Sequence, residues 1–198
     1  MEPGLVRYVF VDRDGVLNCK MPEGEYVREW AQFHWLPGAE EAIVRMKRAG
    51  FTVIVVSNQR GIALGVMTED LVQEIHRNMQ SALAQHGAQL DAIYYCPHDV
   101  GVCRCRKPQV GLFEQAFAAF PQARAENSAM IGDSLPDIEA GRRMGMSTIF
   151  IQGEPERQKG GAATAVELAD EVANSLLEAV EVHLGLVGGL VTAPPSLR

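Results

Sequence analysis

Short apolar, β-branched runs alternate along this chain with amphipathic stretches of helical length. That alternation constrains the fold more than any other feature. Two parallel strands need a crossover between them, so the pattern predicts an α/β fold, an open parallel sheet with helices on both faces. Expected strands cover residues 5–11, 51–56, 91–95, 129–131, 147–151 and 171–173. Between the first two, Pro37 opens and Gly50 closes a helix, the usual asymmetry of helix ends. Further helices are expected over residues 68–85, 110–120, 136–144 and 174–184. At 198 residues the chain is long enough for one good core and short for two, with no length left for a large cap domain. Residues 1–184 are therefore expected to form a single domain and 185–198 a weakly ordered tail. The segment "KGGAATA", starting at Lys159, reads as a mobile connection.

Composition excludes several partners. A net charge of −7 disfavours nucleic acid and anionic membranes, because phosphate-rich surfaces repel such a chain. No apolar run approaches the ~20 residues that span a bilayer. The N-terminus has no basic region followed by a signal-length apolar stretch. The expected location is the cytoplasm, where the four cysteines stay reduced.

The first strand, "YVFVDRDG", runs into Asp12 and Asp14. Side chains two apart on a strand share a face, so both carboxylates can reach one pocket at the strand's carboxyl end, where ligands bind in this architecture. Two turn-forming aspartates closing a strand would look the same. Three further segments favour a site. Ser57 and Asn58 follow the second strand as hydrogen-bonding groups. Gly132, Asp133 and Asp137 follow the fourth, with the glycine allowing close approach. Lys107 precedes a helix and supplies a cation. Taken together they fit phosphoryl transfer, which needs an in-line nucleophile, a proton donor for the leaving oxygen and positive charge around the phosphoryl group. Crowded carboxylates and a phosphate also call for a hard divalent cation, for which Mg2+ is suited.

The stretch "YYCPHDVGVCRCRKP" has a separate task. Cys96, His98, Cys103 and Cys105 give C-x-H-x4-C-x-C, three thiolates and an imidazole, the ligand set of a closed tetrahedral Zn2+ site. Free thiols or a redox disulfide are the competing explanations. The zinc loop, residues 96–105, leads directly into Arg106 and Lys107, so a structural metal there would fix the loop that carries both cations.

"DRDGVLN", "SNQRGIALG", "CPH…CRCRKP" and "IGDSLPD", in this order, resemble the motifs of the haloacid-dehalogenase-like phosphatases, whose fold is Rossmann-like. More narrowly they are similar to the subgroup of histidinol-phosphate phosphatases and D,D-heptose 1,7-bisphosphate phosphatases. The resemblance implies that Asp12 is the nucleophile, forming an aspartyl-phosphate, and that Asp14 is the general acid/base, a role expected to need a raised pKa. It implies Mg2+ ligands from the Asp12 and Asp133 carboxylates and the Asp14 backbone carbonyl, with Asp137 supporting them. Ser57 and Asn58 would hold phosphoryl oxygens and Lys107 would neutralise charge, while Arg60, Arg104 and Arg106 are candidates to grip a second phosphate. The substrate implied is a small phosphorylated metabolite, heptose bisphosphate in the first place. Histidinol phosphate is the alternative, because the arm between His98 and Cys103 is short and Ser134 follows the last Gly-Asp. A polynucleotide 3′-phosphatase or a non-catalytic zinc-stabilised binding module fits less well, given the net charge and the intact aspartates.

Overall fold

The computed structural model describes residues 6–22, 24–153, 158 and 160–186. Six parallel strands form one sheet: β1 (Tyr8–Val11), β2 (Thr52–Asn58), β3 (Ala92–Cys96), β4 (Ser128–Gly132), β5 (Ser147–Ile151) and β6 (Glu171–Ala173), in the order β3-β2-β1-β4-β5-β6. The helices are α1 (Ala39–Arg48), α2 (Glu69–Gln85), α3 (Gly111–Ala119), α4 (Leu135–Arg143), α5 (Ala162–Leu168) and α6 (Leu176–Glu178), the last running on into a π-helical turn at Ala179–His183. Because β1 lies between β2 and β4, the chain winds away from it in opposite directions. The crevice this leaves lies at the carboxyl ends of β1 and β4.

Strand alternation builds the core on both faces. Val9 and Val11 of β1, with Val53 and Val55 of β2, pack with Ile43 and Met46 of α1, Ile75 and Met79 of α2, and Leu176 beyond β6. Phe10, Ile54 and Val56 point the other way, against Leu112, Phe113 and Ala116 of α3 and Ala140 of α4. A strand buried on both sides reads as a continuous apolar run, which is why these segments stand out in the sequence. Trp30, Phe33 and Trp35 pack together: Trp30 stacks on Phe33 at 4.8 Å and Phe33 meets Trp35 edge-on at 5.0 Å.

The alanine-rich connection is a correction to the sequence reading. Most of it is α5, with Ala165 buried beside Ile138 and Phe150. Alanine has the highest helix propensity of any residue, so a low-complexity alanine run with a surface to dock on winds up. Of the tail, residues 187–198 lie outside the described residues. Among the described residues no helix is long and apolar enough to cross a membrane.

Candidate active site

Three buried carboxylates meet at the crevice. Asp12 directly follows β1, and its N–H donates to the Ile131 carbonyl at 3.0 Å, keeping it beside β4. Asp133 directly follows β4, and Asp137 lies in the first turn of α4. Each offers an oxygen, and the three oxygens lie within 4.8 Å of one another. Asp137 is set by a capping box: its Oδ2 accepts from the Ser134 N–H at 3.1 Å and the Ser134 hydroxyl at 2.6 Å. Gly132 makes the approach possible, since a Cβ there would stand 2.2 Å from that of Asp137. Gly15, at φ +96°, does the same on the other side, where a Cβ would collide with the Asp133 carboxylate.

Lys107 brings the balancing charge. Its Nζ lies 3.0 Å from Asp12 Oδ1 and 2.6 Å from Asp137 Oδ1, and donates to the Val56 carbonyl at 2.7 Å. Burial alone would lower the lysine pKa, but Asp12 and Asp137 outweigh it and raise the value. Burial raises the pKa of Asp12; Lys107 opposes the rise, and Asp137 and Asp14 add to it. Asp133 is pushed up to about 7, by burial first and by Asp12 and Asp137, against the pull of Lys20. Lys20, whose ammonium contacts Asp133 Oδ2, carries no sequence signal. A bridge between Asn18 and Trp35 closes the base of the excursion that brings it in.

Asp14 departs from expectation. Its carboxylate does not join the trio but turns to Arg13, whose Nη2 donates to Oδ1 at 3.0 Å and Oδ2 at 2.9 Å. Asn18 Nδ2 donates to Oδ1 at 3.0 Å and Gln59 Nε2 to Oδ2 at 2.9 Å. Burial would raise the Asp14 pKa, yet the Arg13 charge and these hydrogen bonds win and hold it below the usual carboxylate range. The expected raised value is therefore corrected: the protein keeps Asp14 ionised. Strand alternation alone would point Arg13 away from Asp12 and Asp14. The extended backbone stops at Val11, and the turn that follows folds the guanidinium back onto Asp14.

Ser57, buried at the end of β2, accepts from Gln59 Nε2 at 2.7 Å. Asn58 Oδ1 accepts from the Lys107 N–H at 3.0 Å and its Nδ2 donates to the Lys107 carbonyl at 3.1 Å, so the side chain clamps the lysine backbone. Arg60 is half-buried and paired with Asp99 at 2.5 Å, tying the loop after β2 to the loop after β3. Arg106 holds a buried Nη1 that has no hydrogen-bond partner among the described residues.

The cysteine-histidine cluster sits where β3 ends. Sγ of Cys96 lies 3.5 Å from that of Cys103 and 3.3 Å from that of Cys105, and Cys105 lies 3.3 Å from Cys103. His98 Nδ1 is 3.7 Å from Cys96 and 3.3 Å from Cys105. All four cysteines are free thiols, and Cys19 stands apart from this group.

A profile of HAD-hydrolase-like proteins (Hydrolase_like) matches residues 104–179. A D-glycero-alpha-D-manno-heptose-1,7-bisphosphate 7-phosphatase of Mycobacterium tuberculosis is 36% identical over 171 residues, covering 86% of this chain and 87% of its own. The D-glycero-beta-D-manno-heptose-1,7-bisphosphate 7-phosphatase of Pasteurella multocida is 34% identical, covering 92% and 97%. Among solved structures, the D,D-heptose 1,7-bisphosphate phosphatase of B. bronchiseptica, complexed with magnesium and phosphate, superposes with a TM-score of 0.78 at 30% identity, covering 89% of this chain and 97% of that one. With the motif order, the strand-end carboxylates and these relatives in agreement, the chain belongs to the haloacid-dehalogenase-like phosphatases, in the branch that holds the heptose-bisphosphate phosphatases.

Proposed function

We propose that the chain removes the 7-phosphate of D-glycero-D-manno-heptose 1,7-bisphosphate through an aspartyl-phosphate on Asp12. The observation that carries this reading is the buried Asp12 carboxylate held 3.0 Å from Lys107 Nζ at the end of β1, in a chain whose relatives are 7-phosphatases. Asp12 attacks phosphorus, the bond from phosphorus to the C7 oxygen breaks, and Asp14 protonates the leaving oxygen. Asp14 then takes a proton from water, which attacks the aspartyl-phosphate and frees Asp12 and inorganic phosphate. The resting Asp14 is ionised; arrival of the phosphate's negative charge raises its proton affinity, and Asp14 then takes up from solvent the proton that it passes to the leaving oxygen. Ser57 donates to a phosphoryl oxygen, Lys107 offsets charge on Asp12 and the phosphoryl group, and Asn58 keeps Lys107 in place. Arg106, with its unpartnered Nη1, grips the phosphate that stays on C1. Arg60, bound to Asp99, shapes the rim of that subsite.

The residues present fit both metals. The three crevice carboxylates offer oxygen ligands, and the buried Asp133 Oδ1 lacks a hydrogen-bond partner among the described residues, as suits a Mg2+ ligand. Asp12, Asp133 and the Asp14 carbonyl would hold the ion, which would supply positive charge beside the phosphoryl oxygens. The ligand atoms of Cys96, His98, Cys103 and Cys105 all lie within 4.8 Å of one another, five of the six pairs at 3.3–3.7 Å. The edges of a tetrahedron with Zn–S bonds of 2.3 Å are roughly 3.8 Å. In this reading residues 1–184 work as one cytoplasmic phosphatase domain, with the zinc loop at 96–105 holding Arg106 and Lys107 to the crevice.

The test compares kcat/KM for both anomers of the heptose bisphosphate with that for histidinol phosphate. The heptose substrate should win. A tenfold preference for histidinol phosphate, about 1.4 kcal/mol of transition-state discrimination, would overturn the substrate. Full turnover by Asp12→Asn would overturn the nucleophile.

A further inference from the structure

Gln59 is 2% exposed and Arg13 1%, and the Gln59 side chain uses all its polar positions. Oε1 accepts from Arg13 Nη2 at 3.2 Å, while Nε2 donates to Asp14 Oδ2 at 2.9 Å and Ser57 Oγ at 2.7 Å. Its main chain is pinned too, the N–H donating to the Cys96 carbonyl at 2.8 Å. The amide cannot be reversed. Turned over, its oxygen would face the Asp14 carboxylate and its NH2 group the guanidinium, two repulsive contacts. Arginine has only donors to offer, so the chain of hydrogen bonds has one direction, set by a buried cation. His76, 3.5 Å away at Nε2, stands behind that cation with its pKa lowered to about 3, by burial and by Arg13 against the pull of Asp14.

The consequence falls on Ser57. A hydroxyl has one proton, and an oxygen that already accepts from Gln59 aims that proton elsewhere. We propose that Arg13 and Gln59 are positioning residues that fix the polarity of the phosphoryl seat. The one-way chain from Arg13 through Gln59 to Ser57 presents the serine O–H as a donor to the phosphoryl oxygen, and the same amide ties that hydroxyl to Asp14. The inference rests on the reading of Ser57 as a phosphoryl ligand given above. A serine without this neighbour would turn its proton to whatever acceptor was nearest, and the phosphate would meet lone pairs part of the time.

The test measures binding of inorganic phosphate in the presence of Mg2+ by calorimetry, for wild type, Gln59→Met, Ser57→Ala and the double variant. Ser57→Ala should weaken phosphate by about 10- to 100-fold, the range of a hydrogen bond to a charged group. Gln59→Met should weaken it roughly tenfold, with a matching rise in KM, because the donor remains but is no longer aimed. The double variant should bind within about twofold of Ser57→Ala, since the chain reaches phosphate only through that hydroxyl. Wild-type affinity in Gln59→Met overturns the inference while leaving the proposed function intact. So does a Gln59→Met loss that adds in full to that of Ser57→Ala, the signature of a packing role. Wild-type affinity in Ser57→Ala overturns the reading of the serine and the inference with it. Should Gln59→Met fail to fold, Gln59→Leu removes the same amide donor with a smaller apolar side chain and no new charge. It should lose at least about tenfold in phosphate affinity, and unchanged binding there would equally overturn the inference.

Discussion

Replacing Lys107 with methionine removes a cation from beside two carboxylates and a carbonyl and puts an apolar group of similar length in its place. In the native protein Nζ contacts Asp12 at 3.0 Å, Asp137 at 2.6 Å and the Val56 carbonyl at 2.7 Å, with side-chain exposures of 1% for the lysine and 0% for Asp137. Water cannot replace the ammonium without opening the crevice. Breaking a buried pair from one side costs about 3–5 kcal/mol, because the remaining charge is left uncompensated. For a domain of this size that corresponds to a fall in Tm of about 6–20 °C. The loss should be conditional on Asp137: in the Lys107→Met background, Asp137→Asn removes one of the stranded charges and should restore part of the stability, although in the wild type the same substitution is destabilising. Urea denaturation of the four proteins, in the absence of divalent cations, measures this cycle. Stability of Lys107→Met within about 0.5 kcal/mol of wild type, or strict additivity with Asp137→Asn, would refute the idea that the lysine is held by these two carboxylates. Activity should fall with it, by about 100-fold or more, as expected when charge beside the transferring group is removed.

Protein purified without chelator should contain one zinc per chain by elemental analysis. Cys105→Ser should lose it, lower Tm by about 4–8 °C for a loss of about 2 kcal/mol, and reduce kcat, because Lys107 follows the clip by two residues. Full metal content and activity in that variant would count against the clip. The His76 pKa is lowered from 6.5 to about 3 by burial first and the Arg13 charge second. The unfolded chain therefore takes up this proton before the folded one, and stability is lost as pH falls from 6.5 towards 3. At pH 5 the histidine should account for about 2 kcal/mol of that loss. His76→Gln should show a correspondingly smaller difference in urea stability between pH 7 and pH 5, and an unchanged difference would contradict the burial of a neutral imidazole.

The sequence by itself determined the architecture and the identity of most of the site. Strands buried on both faces must be apolar throughout, so β1, β2 and β4 were visible as runs, and β5 and β6 fell at the residues expected. The polar residues that end such strands were equally visible, since an aspartate after "YVFV" or "AMIG" interrupts an apolar run at the edge where ligands bind. The grouping of Cys96, His98, Cys103 and Cys105 is legible because three thiols and an imidazole within ten residues need little help from the fold to meet. What the tertiary structure alone decided is which charge faces which. Local alternation turned Arg13 away from Asp14, and only the turn after Val11 brought it back; the raised pKa expected for Asp14 became a lowered one for that reason. Asn58 and Lys107, separated by 49 positions, meet because β2 and β3 are neighbours, and the meeting makes the Asn58 side chain a clamp on the lysine backbone. Lys20 and Gln59 were silent for the same cause. Burial by distant segments sets the electrostatic work of a polar side chain, and that burial exists only once β1, β2 and β4 lie side by side.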